Sequence, residues 1–152
     1  MKNILVTGAG GAPTINFVRS IRDIDPKKKK YRIVGLDADK YTIHRNECDT
    51  DYLCPKADDP KYIPYLVKII KKEKIHFLHS QPESEVFQIG KHREIIEAAG
   101  CKLFMPAQKS IEILRDKFLS YEIWQKAGIK VPKNIKIDNE RDLEKAFKNT
   151  QR

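Results

Sequence analysis

Gly8, Gly10 and Gly11 follow directly on the apolar run Ile4-Leu5-Val6 and precede a helical pattern with Phe17, Val18, Ile21 and Ile24 on one face. Glycines at such a junction allow a tight turn and expose backbone N–H groups at a helix N-terminus, where the partial positive charge favours an anion. The spacing departs from the G-x-G-x-x-G dinucleotide fingerprint. Begun at Gly8, that fingerprint needs a glycine at position 13, where Pro13 stands. Proline suits the first turn of a helix, but its ring fills room that the fingerprint reserves for close helix–strand packing. A structural turn or a small-anion cleft is the first reading. NAD(P) binding is the alternative, with Asp37 at the end of the second strand accepting a ribose hydroxyl.

Glu83 and Glu85 sit in the first turn of a helix, where acids complement the dipole in any case. His44, Cys48 and Cys54 lack a C-x-x-C pair or a helical histidine pair, so no metal site is expected. His76 and His79 are three apart on an expected strand and point to opposite faces, one packed and one at the cleft edge. Ser80 lacks the G-x-S-x-G elbow of a hydrolase.

These residues need a scaffold, and apolar periodicity supplies alternating strands and helices. The expected strands are 3–8, Tyr31 to Asp37, Asp51 to Pro55, Ile75 to Ser80 and Lys102 to Pro106. Helices are expected after the glycines, through Ile63, Leu66, Val67 and Ile70, and over 82–99 with Gly100 as the stop. Such alternation predicts an α/β fold: a Rossmann-like open parallel sheet with helices on both faces and Gly8 to Gly11 at its carboxyl edge. Beyond Pro106 the pattern changes. Ser110 caps a short turn through Leu114, Asp116 caps a helix carrying Phe118, Leu119, Ile123 and Trp124, and Gly128 stops it. A strand over 134–137 and a helix with Leu143, Ala146 and Phe147 inward then read as the opening of a second, truncated domain. The expected division is 1–108 and 109–152.

The chain has 152 residues, room for one full core and a short appendage. No apolar run reaches membrane-spanning length, the N-terminus enters a strand without a signal peptide, and three scattered cysteines read as reduced thiols. Together these place the protein in the cytoplasm. The net charge of +9 invites a nucleic-acid partner, but the lysines are scattered. Lys27 to Lys30, the one strong run, reads as a solvated loop.

The glycine turn, the segment Ser110-Ile111-Glu112-Ile113-Leu114-Arg115-Asp116-Lys117-Phe118, and Ala127-Gly128-Ile129-Lys130-Val131-Pro132 together resemble the start of ATP-grasp ligases. Within that superfamily the chain is similar to the carbamoyl-phosphate synthase large chain. The resemblance implies a Rossmann-like pre-ATP-grasp domain, a helix bearing Asp-Lys, and a G-I-x-V-P link into an ATP-grasp core. It implies that Lys117 holds nucleotide phosphates, a task suited to a compact ammonium, against the alternative of a solvated helix lysine. It implies that Gly8, Gly10, Gly11, Asp37, Glu83 and Glu85 line a substrate or anion cleft. It implies ATP and Mg2+ for the full-length protein, with a small-molecule substrate, a nucleotide and a homo-oligomeric partner. The core's second lysine and magnesium ligands lie outside this sequence, so catalysis by the chain alone is not expected.

Overall fold

The computed structural model describes residues 1–150. It divides into two compact units, Met1–Ile111 and Glu112–Arg152. Gln151 and Arg152, the end of the expected second domain, lie outside the described residues.

In the first unit, β1 (Lys2–Thr7), β2 (Tyr31–Asp37), β3 (Thr50–Leu53), β4 (Phe77–Ser80) and β5 (Lys102–Leu103) form one sheet in the order β3-β2-β1-β4-β5. Every pairing is parallel, with β1 at the centre. The expected α/β sheet is therefore present. Its chain order reverses at β1, which puts a crevice at the carboxyl ends of β1 and β4.

Helices cover both faces because each presents one apolar stripe. α1 (Ala12–Ile24) packs Val18 and Ile21 against Ile4, Val6 and Ile33. On the other face α2 (Tyr62–Lys72) turns Tyr62, Leu66, Ile69 and Ile70 inward at helical spacing. Leu5, Val34, Leu36 and Leu78 meet them there, with Ile89 of α3 (Glu83–Lys91) and Ile96 of α4 (Arg93–Ala98).

Several local expectations change. The helix expected over 82–99 breaks at His92, whose ring bonds the Gln88 carbonyl while its backbone leaves helical geometry (φ −112°, ψ 25°). Arg93 then donates to the Met105 and Pro106 carbonyls, which ties α4 to the chain after β5 and spends acceptors that a longer β5 would need. Ile24, expected inward, is exposed, because α1 ends there and the buried Asp25 turns the chain by accepting the N–H groups of Lys29, Lys30 and Tyr31. Lys27 to Lys30 are exposed as expected.

α5 (Gln108–Arg115) is a full helix in which Ser110 is the third residue rather than a cap, and the division between the units falls inside it. The second unit continues with α6 (Lys117–Lys126) and α7 (Glu140–Thr150). Asp116 caps α6 as expected, accepting from Phe118 N and Leu119 N at 2.9 Å each. The expected strand 134–137 does not form. A lone strand leaves its ladder unpaired, and here no described strand of the unit offers an edge. Leu143 and Phe147 of α7, expected inward, are exposed. Among the described residues no helix is long and apolar enough to cross a membrane.

Candidate functional site

At the end of β1 the chain must turn under Pro82 and beside Thr42. Gly8 adopts φ +59°, in the left-handed region, and a side chain there would run into the Pro82 ring. A Cβ at Gly10 would enter the Thr42 backbone. These two glycines are therefore sterically required, and Gly11 follows as the residue before α1, with Pro13 in its first turn.

The N–H groups of the turn are spent internally. Ala9 N donates to Leu36 O at 2.9 Å, Gly11 N to Gly8 O at 3.0 Å, and Gly10 N to Asp37 Oδ2 at 2.8 Å. Asp37 is buried, and its Oδ1 accepts from Asp39 N at 2.9 Å. The anion at the turn is thus the protein's own carboxylate. Each oxygen therefore already accepts one bond inside the fold, and the carboxylate is only 7% exposed, so it presents little surface to a ribose.

Beneath the turn lies a polar layer on the α2 face. Thr7 and Ser80 are in register, and the Thr7 hydroxyl donates to Ser80 Oγ at 2.8 Å. Thr14 of α1 donates its hydroxyl to Thr7 O at 3.1 Å, joining α1 to the strand end. Glu85 reaches into the layer and is 6% exposed, with the Tyr62 hydroxyl buried nearby. Glu85 Oε2 and Tyr62 Oη each lack a hydrogen bond of ordinary geometry. Burial pushes the Glu85 carboxyl above the usual glutamate range, and the Asp37 charge adds to the rise; Thr7 and Tyr62 lie close enough to temper it. Burial, and then the Glu85 charge, push the Tyr62 phenol up. Cys54 is driven to about 12 by burial and then by Glu85 and Asp37, so it offers no thiolate nucleophile.

Glu83 and Glu85 part company. Glu83 is exposed on α3, whereas Glu85 faces the interior. His79 is the packed histidine: its ring stacks on Phe17 with centroids 3.8 Å apart, and burial lowers its pKa. It lines a hollow of about 150 Å3 with Ser80, Val86, Phe104 and Met105. His76 precedes β4 and lies at the opposite end of the strand, so His79 alone of the two stands by this hollow. The structure thus gathers Gly8, Gly10, Gly11, Asp37 and Glu85 around one strand end. Thr7, Ser80 and Tyr62 belong to the same layer and were not expected; a threonine closing an apolar strand is the signal that marks the first of them.

Lys117 belongs to the second unit. It is the first residue of α6, exposed, and its ammonium donates to Leu114 O at 3.2 Å. Beside it is a hollow of about 340 Å3 lined by Leu114, Tyr121, Trp124, Val131 and Pro132.

Residues 4–104 match the family model described as PylC-like, N-terminal domain. Among solved structures, N5-carboxyaminoimidazole ribonucleotide synthetase from Thermotoga maritima is similar at TM-score 0.62 and 22% identity, over 99% of this chain and 37% of that one. L-amino acid ligase from Bacillus licheniformis gives 0.60 and 11%, over 98% and 42%. The biotin carboxylase domain dimer of Hydrogenobacter thermophilus 2-oxoglutarate carboxylase, solved with MgADP, ADP and bicarbonate, gives 0.58 and 18%, over 99% and 33%. The chain thus spans 33% to 42% of the length of these three structures. The shared fold is that of the N-terminal domain of ATP-grasp enzymes. No curated protein shows a significant sequence match.

Proposed function

The chain belongs to the PylC-like N-terminal domain family, and we propose that it serves as the N-terminal portion of an ATP-dependent carboxylate–amine or carboxylate–ammonia ligase. In the whole ligase an acyl phosphate forms and the amine or ammonia attacks it. This chain supplies the wall of the substrate crevice at the carboxyl edge of the sheet, and Lys117 for the nucleotide phosphates. The observation that carries this reading is Lys117 itself, fixed at the head of a helix by the Asp116 cap and exposed with one carbonyl as partner.

The glycine turn takes a different part from the one its composition suggests. Its Gly10 N holds Asp37 while its Ala9 and Gly11 N–H groups end on backbone carbonyls, which leaves no open cradle for phosphate. The NAD(P) alternative is weakened by the same contact, because Asp37 is buried and already engaged within the fold. Closer kinship with the carbamoyl-phosphate synthase large chain rests on the Asp-Lys and G-I-x-V-P segments.

ATP and Mg2+ belong to this reading at the level of the whole ligase. Among the described residues no group of three or more His, Cys, Asp or Glu side chains is placed to hold a metal ion, and Mg2+, which takes one or two carboxylates together with nucleotide phosphates, is assigned here to the whole ligase. The chain by itself transfers no phosphate at a useful rate, since phosphoryl transfer draws most of its acceleration from metal ions and positioned cations. A small-molecule substrate, a homo-oligomer and a cytoplasmic setting complete the proposal. The biotin carboxylase relative solved as a dimer with MgADP supports the nucleotide and the oligomer.

Calorimetric ATP titration of the ligase carrying this segment tests the reading, wild type against Lys117→Ala at equal magnesium. Loss of one charged hydrogen bond predicts a tenfold to hundredfold weaker dissociation constant, roughly 1.5–3 kcal/mol. An unchanged constant would make Lys117 a solvated helix residue.

A further inference from the structure

The amino-terminal end of the sheet, opposite the crevice, carries a second feature. On the face that bears α1, Ile33, Ile4, Phe77 and Lys102 stand in one register row across β2, β1, β4 and β5. α1 packs on the Ile33 and Ile4 end of that row. Toward β5 a hollow of about 390 Å3 opens, floored by Ile4, Phe77 and Tyr31 and rimmed by Lys2, His76 and Lys102.

The rim is cationic and uncompensated. Lys2 and Lys102 are exposed and enter no ion pair or side-chain hydrogen bond among the described residues. His76 is exposed, and its Nδ1 accepts from Asn3 N at 3.1 Å, which leaves Nε2 as the ring's donor. Exposed Lys30 and Lys74 flank the row, their carbonyls accepting from Lys2 N and from Asn3 Nδ2. With strands about 4.8 Å apart, these cations fall within roughly 15 Å. The neighbouring acids are engaged: Asp25 by three backbone N–H groups, Asp49 by Arg22 and Lys28, Glu73 by Arg32 and Tyr52, and Glu97 by Arg93.

We propose that this hollow is a docking site for an acidic segment of a partner protein, one that carries an aromatic or aliphatic side chain between carboxylates. The apolar floor takes the side chain, and the lysine rim takes the carboxylates. A second copy of this chain fits poorly at this hollow, because a two-fold contact there would set the lysine rim against itself. Nucleic acid fits less well than protein, because the cations ring a concavity with an apolar floor rather than form a stripe that tracks a phosphate backbone.

Fluorescence anisotropy of the 152-residue chain tests this, with a short labelled peptide in which glutamates flank a phenylalanine and a leucine. Reversal of both rim lysines, Lys2→Glu with Lys102→Glu, should weaken binding about tenfold or more, since like charges are then opposed. The milder pair Lys2→Gln with Lys102→Gln should shift it the same way by less. Lys56→Glu, exposed in the loop after β3, should leave it within about twofold, as expected of a charge outside the contact. Circular dichroism and Tm verify that each variant is folded. The proposal is overturned if Lys56→Glu weakens binding as much as the rim variants. It also fails if an all-glutamate peptide binds equally well, if single-stranded DNA of equal charge binds more tightly, or if sedimentation shows wild-type self-association that rim reversal abolishes.

Discussion

The glycine turn and the first turn of α6 both carry groups suited to phosphate, and they dispose of them in opposite ways. In the turn, the N–H groups of Ala9, Gly10 and Gly11 end on Leu36 O, Asp37 Oδ2 and Gly8 O. At α6, two backbone N–H groups end on the Asp116 side chain, but the Lys117 ammonium remains exposed on a single neutral partner. Burial makes the difference. Backbone donors enclosed by packed chain must be satisfied within it, whereas a long side chain carries its charge out to water.

The contrast breaks most sharply at Gly10. Gly10→Ala sets a methyl group into the Thr42 backbone and should cost about 3 kcal/mol or more in urea unfolding. A loss under about 1 kcal/mol would mean that the turn yields easily and is no fixed scaffold. Next comes Asp37→Asn. An amide offers one acceptor oxygen where the carboxylate offers two, so Gly10 N or Asp39 N loses its partner at about 1–3 kcal/mol.

Glu85 sharpens the same comparison through pH. Its carboxyl is raised in the folded protein above the ordinary 4.5, so the folded state binds this proton more tightly than the unfolded chain does. The stabilisation is complete below that ordinary value and is lost as pH rises through the raised one. Glu85→Gln should therefore flatten the fall of Tm with rising pH from 4.5 upward. An unaltered profile would mean that the carboxyl is not held in the polar layer as described. Lys117→Ala has the smallest effect on stability, within about 0.5 kcal/mol, because its one partner is an exposed carbonyl contact.

Where the first unit buries its chain, the sequence was legible. Short apolar runs and helical apolar patterns located all five strands and the helices that cover them, because each run or stripe meets a core. Two misses lie where a single polar contact decides the outcome. The break at His92 goes with its ring bonding the Gln88 carbonyl, and the shortened β5 with Arg93 reaching the Met105 and Pro106 carbonyls, neither of which an apolar pattern announces. The strand expected at 134–137 had suitable residues but no described neighbour to pair with. At the site, the glycines and Asp37 were visible as residue types. That they bond to each other, 27 positions apart, was not.

The central claim is that the glycine turn is closed by Asp37 and is not a phosphate or dinucleotide cradle. Amide NMR of the 15N-labelled chain, titrated separately with MgATP and with NAD, tests it most directly. The account predicts that the Gly8, Gly10 and Gly11 amide resonances keep their shifts throughout, with Gly10 protected from hydrogen exchange. Saturable shifts of those three amides with either ligand would contradict it.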